Sequence, residues 1–159
     1  MNSLPGGEVR IRRMAAADLD RVTEIALGLE QAPHWPRSAY VAALDPEAAP
    51  RRIALVAENP DSNALQGFAV ASLLPPQAEL ETIAMAAEWQ RRGVAHRLFL
   101  VLVEALKAEP VTELLLEVRA SNSAALAFYR ALGFAIAGRR PIYYADPIED
   151  AVLMELRLA

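Results

Sequence analysis

The sequence predicts an α+β protein with a mixed, mostly antiparallel sheet and helices on its faces. Three observations carry this. Apolar runs at Arg52 to Glu58, Gly67 to Leu74 and Gln77 to Met85 are separated by Asn59-Pro60-Asp61-Ser62-Asn63 and by Pro75-Pro76, so they read as an antiparallel meander. A helical pattern from about Arg92 to Lys107 then crosses to a further strand, Thr112 to Arg119, which makes the sheet mixed. The chain has 159 residues, 54% apolar and 23% charged, a globular composition with length enough for one core.

In order, residues 1–7 read as a loose arm. Glu8 to Met14 alternates with period two, Val9 and Ile11 on one side and Arg10 and Arg12 on the other, with the arginines expected toward solvent. Asp18 opens a helix whose stripe is Leu19, Val22, Ile25, Ala26 and Leu29. Ala32-Pro33-His34-Trp35-Pro36 breaks it. A second short helix, Pro36 to Leu44, is expected to carry Tyr40, Val41 and Leu44 inward. The meander follows, then the helix after Gly93, which Glu109-Pro110 stops.

In Thr112 to Arg119, Leu114, Leu116 and Val118 share one face and Leu115, Glu117 and Arg119 the other. Ser121 or Asn122 caps a last helix with a stripe of Ala124, Ala127, Phe128, Ala131 and Leu132, and Gly133 ends it. Phe134 to Ala137 begins a strand, Arg139 to Asp150 reads as a tyrosine-bearing loop, and Ala151 to Leu158 is the final strand. Seven strands and four helices result. No repeat or composition break divides them, so one domain over residues 1–159 is expected.

The bulk properties narrow the function. There is no cysteine, hence no disulfide, no thiol nucleophile and no cysteine-ligated metal; two histidines far apart offer no recognisable metal site. No apolar run is long enough to span a bilayer, and the N-terminus lacks the order of a secretory signal, so a cytoplasmic location without membrane partners is expected. A net charge of −4 argues against nucleic acid as a partner and suits a basic peptide or amine.

Gln90-Arg91-Arg92-Gly93-Val94-Ala95 is the stretch most suggestive of chemistry. A strand, a basic turn with one glycine and a helix start offer unpaired N–H groups, a favourable helix dipole and main chain open to a phosphorylated ligand. The same pattern also occurs as ordinary solvated surface.

With this turn in its place, the order of elements resembles the GNAT family of acetyl-CoA-dependent N-acetyltransferases, whose signature is Gln or Arg, two variable residues, Gly, one variable, then Gly or Ala. The likeness extends to Ile83-Ala84-Met85 and to Leu116-Glu117-Val118-Arg119-Ala120-Ser121-Asn122 with Phe128-Tyr129 and Leu132-Gly133-Phe134. With Arg139 to Tyr144 and Glu149-Asp150-Ala151, it is most similar to the RimI group, which acetylates the N-terminal alanine of a ribosomal protein. The resemblance implies a GNAT fold with its fourth and fifth strands splayed at a bulge.

It also implies that Arg91, Arg92, Gly93, Val94, Ala95 and His96 hold the pyrophosphate of acetyl-CoA. Ile83, Ala84 and Met85 would pair with the pantetheine arm, the Met85 amide lying near the thioester carbonyl. Asn122 either caps its helix alone or also touches the cofactor. His96 stands where relatives often carry arginine, and faces either the cofactor or solvent.

Glu117 interrupts a leucine-rich strand, where a carboxylate is costly to bury unpaired. It is either ion-paired, with Arg119 or Arg97 as partner, turned outward, or a general base with a raised pKa. An α-amine, with a pKa of roughly 7.7 to 8, must lose a proton before it attacks a thioester. Tyr129, at the edge of its helix stripe, is either a core aromatic or, as the resemblance implies, the general acid for the leaving thiolate. Trp35, Tyr143 and Tyr144 either line a peptide site or anchor loops; His34 reads as structural.

The function expected from the resemblance is direct acetyl transfer to a primary amine, the N-terminal amine of a protein such as a ribosomal protein being favoured. Small amines or lysine side chains are the alternative, and a non-catalytic acetyl-CoA-binding module is a third reading. A monomer or homodimer without metal is expected.

Overall fold

A computed structural model describes residues 9–29 and 32–158; the expected arm at residues 1–7 lies outside them. The elements are β1 (Arg10–Arg13), α1 (Leu19–Leu27), α2 (Arg37–Ala43), β2 (Arg52–Glu58), β3 (Leu65–Leu74), β4 (Gln77–Met85), α3 (Val94–Lys107), β5 (Glu113–Arg119), α4 (Ser123–Ala131), β6 (Ala135–Ala145) and β7 (Ile148–Arg157). The strands form one seven-stranded sheet in the order β1-β2-β3-β4-β5-β7-β6. Every neighbouring pair is antiparallel except β4 and β5, which the α3 crossover makes parallel.

Helices cover both faces. On one, Leu98, Leu102 and Leu106 of α3 pack with Leu55, Ala69, Leu114 and Met154 of the sheet. On the other, Val22, Ile25 and Ala26 of α1 and Tyr40 of α2 pack with Val56, Phe68 and Val70. Central strands buried on both sides read as continuous apolar runs, which is why β2 and β3 show little alternation in sequence. Each large aliphatic side chain so enclosed contributes about 1.5–3 kcal/mol of transfer free energy.

Four sequence expectations change. Arg12 is only partly in solvent: it bridges Asp18 at 2.8 Å and Glu58 at 3.1 Å, two carboxylates whose side chains are only 8% and 5% exposed. Buried carboxylates require a cation, and the sequence spacing does not show that they meet one here. Val41 points outward, and α2 turns Tyr40 and Ala43 inward. The packed face of α4 is Ala125, Leu126, Tyr129 and Leu132, while Ala124, Ala127 and Ala131 are exposed; an alanine-rich helix carries too little contrast to fix its rotation. Finally, Arg139 to Asp150 is not a loop. It supplies most of β6, the turn at Asp146-Pro147 and the start of β7. β6 is an edge strand exposed along nearly all its length, so main-chain pairing with β7 holds it and no apolar alternation marks it.

The feature that positions the site lies between β4 and β5. They pair only at Gln77↔Glu113, Ala78↔Leu114 and Glu79↔Leu115, although β4 continues to Met85 and β5 to Arg119. At the point of parting, β4 carries a bulge: Val70 of β3 faces Thr82 but Ala71 faces Leu80, leaving Glu81 as the extra residue. The bulge shifts the side-chain phase. Before it Ala78 and Leu80 pack toward α3; beyond it Ile83 and Met85 do, while Ala84 joins the opposite core. Arg52 reaches across from β2 to hold Glu81 at 2.6 Å.

Candidate active site

Where β4 and β5 part, a cleft of about 930 Å³ opens. One end meets the start of α3. Gly93 adopts φ +77°, and no side chain caps the helix, so its first N–H groups have no partner within it. A Cβ built on Gly93 would meet nothing within 4 Å. The glycine is therefore required by its left-handed backbone, and the main chain there is open to an anion. Arg91, at φ +62°, completes the turn.

Arg91, Gly93, Val94, Ala95 and His96 all border the cleft; the Arg92 guanidinium instead stacks on the Trp89 ring, 5.1 Å from its centroid. Gln90, the first residue of the motif, donates from Nε2 to the Met85 carbonyl at 3.2 Å and so ties the turn to the end of β4. Ile83, Ala84 and Met85 form the β4 wall. Asn122 caps α4, its Oδ1 accepting from the Ala125 N–H at 3.1 Å, and it also borders the cleft. Such an N-cap is worth about 1 kcal/mol.

Glu117 and Tyr129 lie on the β5 and α4 walls of the same cleft. Neither cation considered for Glu117 is its partner. Its Oε1 lies 3.4 Å from Arg140 Nε, while Arg119 pairs with Glu149 at 3.6 Å, donates to the carbonyls of Asp146 and Pro147, and covers the Tyr144 ring at 4.2 Å. Arg140 comes from the segment that reads as a loop, so no sequence signal marks it. The Glu117 side chain is 17% exposed, enclosed yet reachable from the cleft.

Tyr129 packs with Phe128 and Phe134, and burial pushes its phenol up to about 12. The Glu117 carboxylate, as a hydrogen-bond acceptor first and through its charge second, pushes the Tyr143 pKa up. Burial, followed by the charge of Glu117, raises Tyr144. Glu79 is raised too, by burial first and then by the charges of Glu117 and Glu81.

The aromatic residues expected at a peptide site separate. Tyr144 borders the main cleft. Trp35 borders a smaller adjoining hollow with Ala39, Arg52 and Glu81, and packs on Tyr40 at 5.2 Å. Tyr143 stands outside, 48% exposed, beneath the Arg140 guanidinium. His34 contacts the Leu29 carbonyl at 2.9 Å, which fits a structural part. Leu29, Ala32 and Pro33 close one side of the cleft.

A sheet opened at its fourth and fifth strands above an uncapped, glycine-led helix belongs to one class of protein. The chain is a member of the acetyltransferase (GNAT) family, whose pattern matches residues 19–134. More particularly, it is 40% identical over 97 residues to a ribosomal protein bS18-alanine N-acetyltransferase from Salmonella typhimurium, a match covering 60% of this chain and 66% of that one. A Bacillus subtilis protein described as a putative enzyme of the same kind is 31% identical over 91% of this chain and 92% of its own length. The crystal structure of the ribosomal-protein-S18-alanine N-acetyltransferase from Escherichia coli superposes with a TM-score of 0.82 at 30% identity, covering 96% of this chain and 95% of that one. The Salmonella typhimurium protein yncA, described as a putative acetyltransferase and solved with acetyl-CoA, shares the fold at a TM-score of 0.79 and 17% identity, over 96% and 95% of the two chains.

Proposed function

We propose that this protein transfers the acetyl group of acetyl-CoA to a primary amine, the favoured acceptor being the N-terminal α-amine of a protein such as a ribosomal protein. The observation that carries this is the parting of β4 from β5 beyond Glu79 and Leu115. It frees a strand edge, Ile83 to Met85, directly above the uncapped start of α3. A pantetheine arm is a chain of amides and fits an unpaired strand edge. A diphosphate fits bare N–H groups at a helix start. The residues present therefore suit acetyl-CoA, which supplies an activated acetyl group.

This chain's residues would do the rest. Val94 to His96 offer main-chain donors, and the Arg91 side chain adds charge. The Met85 amide faces the developing negative charge on the thioester oxygen. Glu117 takes a proton from the incoming ammonium, directly or through a water, so that the free amine can attack. Tyr129, whose phenol stays protonated far above neutral pH, holds a proton for the departing thiolate. With no cysteine in the chain, there is no thiol to carry the acetyl group, and transfer is direct. The relatives named as ribosomal protein bS18-alanine N-acetyltransferases support a protein amine over a small one, and a single domain acting in the cytoplasm completes the reading.

The test is acetyl-CoA-dependent thiol release against a panel of amines. A short peptide beginning with alanine should turn over fastest, and free lysine and polyamines at least tenfold more slowly. Faster reaction of a small amine or a lysine side chain would remove the protein-terminus reading while leaving acetyl transfer. No turnover with any amine, together with tight acetyl-CoA binding, would favour a binding module.

A further inference from the structure

The sharpest irregularity of the sheet lies beside Glu117. β6 loses register with β7 between Arg140 and Tyr144, and within that gap Ile142 adopts φ +50°. A β-branched residue in the left-handed region is an outlier, because its Cβ crowds the following carbonyl. It persists only where the surroundings over-determine it. Packing does not hold Ile142, whose side chain is 71% exposed. A carboxylate on β7 does. Asp150 Oδ1 accepts from the Ile142 N–H at 2.9 Å, and its Oδ2 accepts from Arg139 Nε at 2.8 Å. Those two bonds, in that order, hold the Asp150 carboxyl below its usual range.

The bulge has a chemical consequence. In a regular strand, residues 140 and 143 would project from opposite faces, since side chains alternate with period two. Here they lie together beside one carboxylate. Arg140 Nε lies 3.4 Å from Glu117 Oε1, and the Arg140 guanidinium sits 5.4 Å over the Tyr143 ring, whose pKa that carboxylate raises. Arg140 shares the face of Glu117 through regular pairing, Arg140↔Ala151 and Ala151↔Arg119, and the irregularity at Ile142 brings the Tyr143 ring to the same side.

We propose that Asp150 is a positioning residue for the transfer: by pinning Ile142 in its left-handed conformation, it holds Tyr143 against the Arg140–Glu117 pair and so fixes that carboxylate's orientation in the cleft. This rests on the reading of Glu117 as the proton acceptor. Asp150 does not border the cleft. Its effect therefore belongs in kcat, and acetyl-CoA, held at the other end of the cleft, should bind as before.

The experiment is steady-state kinetics on the full chain, using whichever acceptor of the amine panel turns over fastest. Asp150→Ala should lower kcat on the order of ten- to a hundredfold, as a misplaced catalytic group does, with KM for acetyl-CoA within about twofold. Asp150→Asn keeps an acceptor oxygen for the Ile142 N–H and should recover most of the loss. It also serves where the alanine variant fails to fold. Adding Ile142→Gly to Asp150→Ala should restore part of kcat, because glycine takes a positive φ without a pin; a residue needed only for stability or charge would not be bypassed in this way. Glu117→Gln is run alongside. If it keeps the original rate, the role given to Glu117 fails and this inference fails with it. If it abolishes turnover while Asp150→Ala leaves kcat within twofold, the positioning role alone is overturned. A loss carried equally by KM for acetyl-CoA, or unrelieved by Ile142→Gly, overturns it too.

Discussion

Gly67 faces Met85 across the β3–β4 ladder, at the end of the strand edge that is offered to the cofactor. A Cβ at this position would stand 2.3 Å from Met85 Sδ and 2.6 Å from the Ala84 carbonyl oxygen. The sulfur is the end of a flexible side chain and can move. The carbonyl is backbone and cannot do so without shifting β4. Gly67→Ala therefore overpacks the core by about 1–3 kcal/mol. For a chain of this length that corresponds to a fall in Tm of roughly 2–12 °C.

The backbone shift falls on Ala84 and Met85, so cofactor affinity should drop with stability. Acetyl-CoA at a hundredfold excess over Kd should stabilise the original protein by about 2.7 kcal/mol. The variant should gain visibly less at the same concentration. Thermal unfolding with and without acetyl-CoA reads both effects. A variant that melts within about 1 °C of the original and shows the same ligand-induced shift would refute the close β3–β4 approach and the placement of the cofactor arm beside Met85.

Four further outcomes are expected. Arg12→Ala strands the carboxylates of Asp18 and Glu58 and should cost about 2–3 kcal/mol, less than a fully buried pair because Arg12 is 35% exposed; denaturant unfolding measures it, and a change under 0.5 kcal/mol would contradict the bridge. The hydrogen bond from Arg12 lowers the Asp18 pKa, so this contribution is complete above the ordinary carboxylate pKa of about 3.9 and fades as pH falls through the lower folded value; acid unfolding should therefore begin at higher pH in Arg12→Ala, and an unchanged midpoint would count against it. Because burial pushes Tyr129 up to about 12, kcat should show no fall from phenol ionisation up to pH 10; an alkaline limb below that which vanishes in Tyr129→Phe would contradict the burial argument. Gly93→Ala has space for its methyl group but must adopt φ +77°, and at a left-handed penalty of about 1–2 kcal/mol the turn should open and acetyl-CoA affinity fall, which calorimetry would register.

The β2–β4 meander was legible because each run is bounded by turn residues, and α3 because Leu98, Leu102 and Leu106 recur at helical spacing. The glycine turn was legible because it depends on the next few residues alone. The rotation of α4 was not, since alanines lie on both its packed and exposed faces. β6 was misread because an exposed edge strand has no reason to alternate. The partner of Glu117 was missed for the same cause: Arg140 sits in that strand, and its register with β7, and through β7 with β5, sets it on the Glu117 face. Gly67 shows no sequence sign of its constraint, which comes from the strand beside it.

By itself, then, the sequence determined what is local or periodic: the order of strands and helices, the turn leading into α3, and a carboxylate and a phenol at fixed distances from that turn along the chain. Only the tertiary structure decided which groups meet across the sheet: Arg12 with Asp18 and Glu58, Arg52 with the bulge at Glu81, and Arg140 and Tyr143 with Glu117. The physical reason is that turns and amphipathic stripes are set by neighbours within a few residues, whereas bulges and ion pairs depend on the register between strands far apart in sequence.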